Sequence, residues 1–489
     1  MSEHPHIAFV ATECFPFVRV GGLADVMGSL PKALESLGAR VEVVLPGFPW
    51  EGAFPRETLE PLGMDLWGEA AVAVYSTTLP GSRVRVFMIE DGKYFPRAGV
   101  YVDAATGQDY ADQADRWVFF QRAALALIER EFPDIDVIHC HEHQAALIPL
   151  YLEDLCRPRG IFRNAASVLT IHNLGYQGIF PAAEFRRHGL PVGVAGPGGS
   201  LEFYGRVNFM KGGILTADAL TVVSPTYSRE IQTAEFGYGL DGVIASRRSD
   251  LFGILNGIDE NEWNPATDSR ILIPYSASSL SGKVVNQRLL LEAFHLSDSP
   301  GRGPVLAMVS RIDAHKGFDL VLAVLDDLLG NDIRFILVGT GNRAIEARFQ
   351  ESCGSRPDKA AVRFVFDDAV AHQVIAGADM FLMPSKYEPC GLTQMYALRY
   401  GTVPVVRATG GLADTVQEFD PGTGQGTGFL FAEYDPDDFR RAIERAIATW
   451  KGPQWPIVMT NGMAVDFSWT ASAGRYMEVY GHAVRKRKD

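Results

Sequence analysis

A carboxylate on a strand-to-helix loop is the first residue in this chain that could do chemistry. Glu388 follows the apolar run 380–383 and precedes a helical pattern over 392–400, which Gly391 would open. Ligands bind at the carboxyl ends of strands in an open α/β sheet, where a helix start offers unpaired N–H groups to an anion. A carboxylate placed there can accept hydrogen bonds from sugar hydroxyls. A lone loop glutamate is usually solvated, so its neighbours decide the interpretation.

A repeated glycine motif strengthens that interpretation. The pentapeptide Gly-Gly-Leu-Ala-Asp occurs at 21–25 and again at 410–414, each time after a short apolar run and before a helical pattern. Paired glycines let a backbone approach a ligand closely and adopt positive φ. A single copy is common at strand-to-helix turns. Two copies predict two α/β halves, each contributing a glycine loop to one shared crevice.

Two further loops carry suitable polar groups. Arg311 and Lys316 follow the apolar run 305–309, and together they could neutralise a diphosphate, the arginine as a bidentate fork and the lysine as a point charge. The loop 170–178 reads Thr-Ile-His-Asn-Leu-Gly-Tyr-Gln-Gly, which concentrates an imidazole, an amide and a phenol. These groups can bind sugar hydroxyls.

The segment 139–144, His-Cys-His-Glu-His-Gln, invites a metal interpretation. Alternate residues of an extended segment point to opposite sides, and a second ligand cluster is not evident in the sequence. A sugar-binding carboxylate at Glu142 is therefore favoured over a metal site. The sequence predicts no metal and no cofactor.

Strand-like and helix-like patterns alternate through both halves of the chain, which predicts an α/β fold with doubly wound parallel sheets. An Asn-Gly turn at 256–257 and a polar, proline-bearing stretch to about 275 mark a linker. Residues 1–252 and 253–465 are therefore predicted to be two Rossmann-like domains. The segment 466–489 is expected to form a helix that packs back on the first domain.

Three smaller segments have simpler interpretations. Residues 193–200, rich in glycine and proline, are expected to form a mobile loop. Gly-Thr-Gly-Asn at 339–342 lacks the third glycine of a dinucleotide fingerprint and is expected to be an ordinary turn. The basic run 485–488 is expected to be a solvated tail.

Composition limits the function classes. A length of 489 residues favours two domains, and a formal net charge of −14 argues against nucleic-acid or anionic-membrane partners. The five cysteines form no C-x-x-C pair, which is typical of reduced thiols and predicts a cytoplasmic protein. Neither a signal sequence nor a membrane-spanning apolar run is evident. The oligomeric state stays open.

At this point the chain resembles the bacterial glycogen synthases and plant starch synthases, along its whole length. The resemblance is carried by the stretches 21–26, 170–178, 203–211, 254–259 and 388–394, and by the loop that holds Arg311 and Lys316. It implies the GT-B fold, two Rossmann-like domains facing a deep cleft, with the acceptor on the N-terminal side and the donor on the C-terminal side. It also implies transfer of glucose, with retention, from ADP-glucose to the non-reducing end of glycogen or a malto-oligosaccharide.

The resemblance also implies residue roles. Arg311 and Lys316 would hold the diphosphate, Glu388 the glucose hydroxyls, and His172 the glucose, with Glu142 as a further catalytic group. Phe366 would pack on the adenine. Substrate-binding roles are implied as well for Arg19, Gly21, Gly22, Asp25, Asn173, Asn256, Cys390, Gly391, Leu392, Thr393, Gly410 and Gly411.

Two departures from the family pattern are evident. Arg19 stands where the family usually has lysine, and His-Glu-His-Gln at 141–144 replaces His-Asp-Trp-His. They leave open a catalytically weak or inactive glucan-binding relative, and the donor could be another nucleotide-glucose. A glycoside hydrolase that uses Glu142 and Glu388 stays open too, since two carboxylates could serve it. So does a nicotinamide oxidoreductase, although it should carry a full glycine fingerprint.

Overall fold

The computed structural model divides the chain into two compact units. Unit 1 combines Met1–Gly257 with Trp469–Asp489, and unit 2 is Ile258–Ser468. The sequence-based boundaries, after residue 252 and before residue 466, lie close to these divisions in the chain. The structure describes residues 4–49, 54–64, 69–185, 190–299 and 301–488.

Unit 1 is built on buried apolar strands and on helices with one apolar face. The strands are β1 (His6–Val10), β2 (Arg40–Pro46), β3 (Glu57–Thr58), β4 (Leu62–Met64), β5 (Glu69–Thr78), β6 (Arg85–Glu90), β7 (Val137–His141), β8 (Ala166–Ile171), β9 (Ile179–Pro181), β10 (Glu202–Phe203), β11 (Arg206–Asn208), β12 (Ala219–Val222) and β13 (Leu251–Gly253). The helices are α1 (Gly22–Ser36), α2 (Gln113–Glu131), α3 (Ile148–Tyr151), α4 (Ala182–Phe185), α5 (Val192–Ala195), α6 (Phe209–Thr216), α7 (Pro225–Glu230), α8 (Asp241–Ser246) and, from the end of the chain, α17 (Trp469–Lys488).

The main sheet of unit 1 has the strand order β13-β12-β8-β7-β1-β2-β6-β5-β3, with β4 paired to β5. The strands from β13 to β6 are parallel, whereas β5 runs antiparallel to β6 and to β3. The predicted parallel sheet therefore carries an antiparallel edge. Strand order reverses between β1 and β7, so loops that follow these strands meet at a switch point where α/β folds bind ligands.

Unit 2 contains a fully parallel sheet, with the order β16-β15-β14-β17-β18-β19, and its order reverses between β14 and β17. The strands are β14 (Val305–Val309), β15 (Arg334–Val338), β16 (Ala360–Arg363), β17 (Met380–Met383), β18 (Val403–Arg407) and β19 (Phe429–Phe431). The helices are α9 (Ser281–Ala293), α10 (Phe318–Gly330), α11 (Arg343–Gly354), α12 (Asp368–Gly377), α13 (Thr393–Arg399), α14 (Gly410–Thr415), α15 (Pro436–Trp450) and α16 (Trp455–Met463).

The end of the chain differs from its prediction. Residues 485–488 belong to α17 rather than to a solvated tail. Lys486 Nζ lies 2.6 Å from Asp250 Oδ2, and Arg487 Nη1 lies 2.6 Å from Glu153 Oε1. The basic residues therefore anchor α17 to unit 1, because acidic groups far back in the sequence fold against them.

One other local expectation also changes. Residues 192–195 form a short helix that overlaps the stretch 193–200, which was expected to be a loop. Strand β16 ends at Arg363, which places Phe366 on the loop beyond it. Among the described residues, none of the helices combines the length and apolarity that crossing a bilayer requires.

Candidate active site

In unit 2, the loops after β14 and β17 pack closely at the switch point. Gly317, at φ +75°, ends a short 3₁₀ turn, and a Cβ there would lie 2.0 Å from the Pro384 carbonyl oxygen. The Lys386 N–H donates to the His315 carbonyl at 2.8 Å. Only glycine permits this approach, and it brings the side chain of Lys316 to the next loop.

That approach joins two residues that the sequence places 72 positions apart. Lys316 Nζ lies 2.7 Å from Glu388 Oε2, and the Glu388 side chain is only 7 % exposed. The Ser385 hydroxyl donates to the same carboxylate oxygen at 3.0 Å. A buried carboxylate needs such partners to offset the cost of removing its charge from water. The pair places an ammonium group, which can bind an anion, next to a carboxylate that can accept hydrogen bonds from hydroxyls.

The second glycine pair holds the Glu388 loop by its backbone. The Gly411 N–H donates to the Glu388 carbonyl at 3.1 Å. A Cβ on Gly410, at φ +45°, would lie 1.9 Å from that same carbonyl oxygen, and one on Gly411 would lie 2.1 Å from the Cys390 oxygen. These glycines therefore serve close backbone packing in unit 2, and they fix where Glu388 stands.

Arg311 lies on the same loop as Lys316 and is 59 % exposed, with its guanidinium 3.8 Å from Asp313. A glycine turn at 339–342 packs against the backbone of the Arg311 loop. The Ile312 N–H donates to the Thr340 carbonyl at 2.9 Å, and a Cβ on Gly341 would lie 2.1 Å from the Ile312 oxygen. The 339–342 stretch is thus a turn that carries the Arg311 loop, and the guanidinium remains accessible to a ligand.

The remaining predicted residues of unit 2 take different positions. Phe366, 86 % exposed, stands on the loop between β16 and α12. Cys390 is buried, Gly391 adopts φ +70°, Leu392 is half-buried, and Thr393 begins α13. An exposed phenylalanine next to a strand end offers a flat apolar face on which a base can stack.

In unit 1, the first glycine loop is held by a buried glutamate that the sequence analysis did not single out. Glu13 Oε2 accepts the N–H groups of Val20 and Gly21 at 2.6 and 2.7 Å. Glu13 Oε1 accepts the Tyr101 hydroxyl at 2.5 Å. Burial raises the pKa of Glu13, while the Tyr101 and backbone hydrogen bonds oppose that rise.

This anchoring leaves the glycine loop itself open. A Cβ on Gly21 would meet no described atom within 4 Å, and both Gly21 and Gly22 are exposed. Gly21 precedes α1 in an extended conformation, and it has no side chain with which to cap the helix. Arg19 Nη2 lies 3.2 Å from Asp25 Oδ1 across this opening turn. The start of α1 therefore presents N–H groups beside a cation, a suitable arrangement for an anion.

Glu142 also binds backbone. It adopts φ +63°, and its Oε1 accepts the N–H group of His172 and, at 2.9 Å, that of Asn173. Burial raises the pKa of Glu142 to about 8, opposed by those two hydrogen bonds. A carboxyl so placed positions the 172–173 backbone, and at neutral pH it is largely protonated.

The histidines near Glu142 contact one another and neighbouring protein groups. His141 Nδ1 lies 2.9 Å from His172 Nε2, and burial lowers the pKa of His172 to about 3. His139 lies 2.9 Å from the Tyr480 hydroxyl on α17, and His143 contacts the Tyr176 carbonyl at 3.1 Å. His172 is thus neutral, which suits a hydrogen-bonding role toward a sugar better than a charged one.

Asn256 follows β13 and is buried in unit 1, where its Oδ1 accepts no hydrogen bond from the described residues.

In unit 2, Glu262, Asp368 and His372 bring possible metal-ligand atoms within 4.8 Å of one another. Arg270 Nη1 already lies 3.0 Å from Glu262 and 2.8 Å from Asp368. The guanidinium supplies the positive charge that those carboxylates need.

Comparisons with known proteins identify the family of this chain. Residues 6–246 match the family described as starch synthase catalytic domain, and residues 291–454 match glycosyl transferases group 1. A glycogen synthase of Pseudothermotoga lettingae is 42 % identical over 99 % of both chains. One from Anaeromyxobacter sp. is 44 % identical, covering 97 % of this chain and 98 % of that one. The chain belongs to the glycogen and starch synthase family.

Solved structures place this glycogen and starch synthase family member in the GT-B fold. The catalytic domain of starch synthase IV from Arabidopsis thaliana, described as bound to ADP and acarbose, superposes with a TM-score of 0.88 at 33 % identity, covering 99 % of this chain and 100 % of that one. A sucrose-phosphate synthase from Thermosynechococcus elongatus, 18 % identical over 98 % of both chains with a TM-score of 0.61, shares the fold. The predicted family and fold class are confirmed.

Sequence reasoning about this family member missed three supporting residues, namely Glu13, Ser385 and Tyr101. Ser385 stands three positions before Glu388 on the same loop, so its proximity was a usable signal. Glu13 and Tyr101 are 88 positions apart and carry no shared motif. Their partnership depends on how β1 and the loop before α2 fold together.

Proposed function

We propose that the protein transfers glucose from ADP-glucose to the non-reducing end of an α-1,4-glucan, with retention of configuration, and so elongates glycogen. The observation that carries the proposal is the Lys316–Glu388 pair. A nucleotide-sugar places an anionic diphosphate next to a neutral ring of hydroxyls. The 2.7 Å pair likewise sets a cation directly beside a carboxylate acceptor.

The donor groups have distinct partners in unit 2. Arg311 and Lys316 would stabilise the charge that develops on the departing diphosphate, as preorganised donors do at an oxyanion. Glu388 would accept hydrogen bonds from the glucose hydroxyls, and the exposed ring of Phe366 would stack on the adenine. Because the carboxylate is held by Lys316 and Ser385, its orientation is set before the donor binds.

Unit 1 would supply backbone groups. The exposed loop at Gly21 and Gly22 would contact substrate through N–H groups at the start of α1, with Arg19 contributing charge. The neutral His172 and the neighbouring Asn173 would contact sugar, since Glu142 fixes their backbone. We propose a cytoplasmic location, since the five cysteines are buried and none of them forms a disulfide bond with another described residue, as in a reducing compartment.

The decisive assay measures nucleoside diphosphate release from ADP-glucose and from UDP-glucose, each with and without glycogen. We expect ADP release that depends on glycogen. Glu388→Gln should lower turnover by roughly 10²–10³-fold, the loss typical of one preorganised transition-state group. Glu292→Gln changes an exposed glutamate on α9 and serves as the matched control.

Other outcomes would overturn the proposal. Glucose released from maltodextrin without a nucleotide would identify a hydrolase. Glycogen binding without ADP release would identify a non-catalytic relative. Faster release of UDP than of ADP would reassign the donor.

Arg19→Lys tests the one departure from the family pattern next to the first glycine loop. An unchanged KM for the donor would show that arginine and lysine are equally suitable for donor binding at this position.

A further inference from the structure

A tyrosine occupies a turn of unit 1 whose backbone favours a smaller residue. Tyr204 and Gly205 form the two-residue link between β10 and β11, in which Phe203 pairs with Arg206. Their φ angles are +49° and +78°. Positive φ at both central residues is the requirement of a type I′ hairpin, which favours Asn-Gly. Tyr204 is 84 % exposed, and its ring meets the Phe203 ring edge-on with 4.8 Å between centroids, so most of the ring faces solvent.

A second turn repeats this arrangement elsewhere in the same unit. Tyr238 and Gly239 have φ angles of +48° and +79°, and the Leu240 N–H donates to the Gly237 carbonyl at 2.8 Å. Tyr238 is 48 % exposed. A bulky side chain in the left-handed region is an outlier, and such outliers cluster at functional sites.

The two turns are neighbours. A Cβ on Gly239 would lie 3.2 Å from Phe203 Cζ and 3.9 Å from Tyr204 Cε2. The Gln177 side chain donates to the Tyr238 carbonyl at 3.2 Å, and Tyr176 beside it is 53 % exposed. Tyr176 belongs to the loop that also carries His172 and Asn173. Three exposed phenol rings from three loops therefore share one region that continues from the proposed sugar contacts.

We propose that Tyr176, Tyr204 and Tyr238 form a stacking platform for the acceptor glucan chain, an inference that rests on the proposed function. A pyranose ring has a face of C–H groups and a rim of hydroxyls, and a tyrosine has a flat apolar body with a polar tip. Rings at separate turn tips suit a polymer of repeated sugars. The net charge of −14 opposes a nucleic acid as the stacked ligand.

Tight turns also explain how the platform binds a flexible chain. A ring mounted on a type I′ turn has its backbone already fixed, so little freedom remains to be lost on binding. Asparagine would relax the turn but remove the ring. The platform therefore predicts opposite effects of Tyr→Asn on stability and on glucan affinity.

The test uses the full chain and the variants Tyr204→Asn, Tyr238→Asn, their double mutant, and Tyr204→Phe with Tyr238→Phe. Glycogen affinity is measured by electrophoresis through glycogen-containing native gels, and KM for glycogen and for maltotriose by ADP release. We expect the Asn double mutant to weaken glycogen affinity about tenfold or more while its melting temperature holds or rises. The Phe variants should stay within about twofold of wild type, because they keep the rings.

His295→Asn is the matched control. His295 is exposed, adopts φ +56° at the end of α9 in unit 2, and is remote in sequence from the platform. The change should relieve the same backbone strain without altering glycogen affinity. Asn variants that bind glycogen as wild type does would overturn the platform, as would equal losses in the Phe and Asn variants. An absence of ADP release by wild type would instead overturn the proposed function, and the gel assay would still decide the platform.

Discussion

The two copies of Gly-Gly-Leu-Ala-Asp have the same sequence but opposite surroundings. Around Gly21, a Cβ would meet no described atom within 4 Å, whereas on Gly410 it would lie 1.9 Å from a backbone oxygen. The first loop is held by the side chain of Glu13, and the second by the main-chain carbonyl of Glu388. A repeated motif thus identifies equivalent places in two α/β units without assigning them the same task.

The difference extends to how each unit uses its glutamates. In unit 1, the carboxyl groups of Glu13 and Glu142 accept backbone N–H groups and so shape loops. In unit 2, the loop is shaped by main-chain bonds, and the Glu388 carboxylate bonds to the side chains of Lys316 and Ser385. Backbone N–H groups are obligatory partners, whereas a side-chain ammonium can be shared with an arriving phosphate.

Among the changes that compare the two loops, the largest effect is expected from Gly410→Ala. The new methyl group would push the Glu388 carbonyl away, and an alanine at φ +45° is itself disfavoured. Overpacking of this kind costs about 1–3 kcal/mol, and a displacement near 1 Å can cost about 10²-fold in rate. Thermal melting and kcat should both fall.

Gly21→Ala is the matched counterpart. It should leave the melting temperature unchanged, because the methyl group meets no described atom, and raise KM for ADP-glucose if the donor approaches this loop closely. Equal melting losses in the two alanine variants would break the comparison between the loops. An unchanged KM would remove Gly21 from the binding site.

A smaller effect is expected from Glu13→Ala. It leaves the Val20 and Gly21 N–H groups without their acceptor, at a cost of about 1–3 kcal/mol, and should raise KM for the donor while kcat changes less. Glu13→Gln should have a milder effect. The Tyr101 hydroxyl lies 2.8 Å from the Thr12 hydroxyl and can donate to it instead. The Tyr101 oxygen can then accept a hydrogen bond from the glutamine amide.

The control for that change is Glu35→Ala. The Glu35 carboxylate also accepts a backbone N–H, that of Arg83, but it stands at the far end of α1. Its loss should leave KM for the donor unaltered. Similar KM changes in the Glu13 and Glu35 variants would show that any loosening of α1 suffices.

The remaining prediction concerns pH. Burial raises the pKa of Glu142 to about 8, so the folded chain keeps a proton that the unfolded chain releases near the ordinary value of 4.5. Its contribution to stability is full below about 4.5 and is lost as pH rises toward about 8. Glu142→Gln keeps the acceptor oxygen and removes the titration. The variant's stability relative to wild type should therefore increase across this pH range in urea melts, and a pH-independent difference would contradict the assignment.

The sequence-based predictions were most accurate for the elements that depend on short-range sequence pattern. The position of Glu388 follows from a strand, a loop and a helix within twenty residues, and the apolar runs 305–309 and 380–383 coincide with β14 and β17. Arg485–Lys488 could not be interpreted correctly, because the acidic partners of Lys486 and Arg487 lie 236 and 334 positions earlier. The antiparallel edge β3–β5 was missed for a related reason, since β3 and β4, of two and three residues, are defined by their pairing with β5 more than by composition.

The order in which the chain visits its units has a practical consequence. Unit 2 is one uninterrupted segment, Ile258–Ser468, whereas unit 1 needs both ends of the polypeptide. Tyr480 of α17 lies 2.9 Å from His139, and Ser472 donates to the Leu255 carbonyl at 2.6 Å. A ribosome therefore synthesises the whole of unit 2 before it synthesises the last helix of unit 1. A premature stop codon near residue 468 would leave the sequence of unit 2 complete. Unit 1 would then lack α17, the helix that packs on its core.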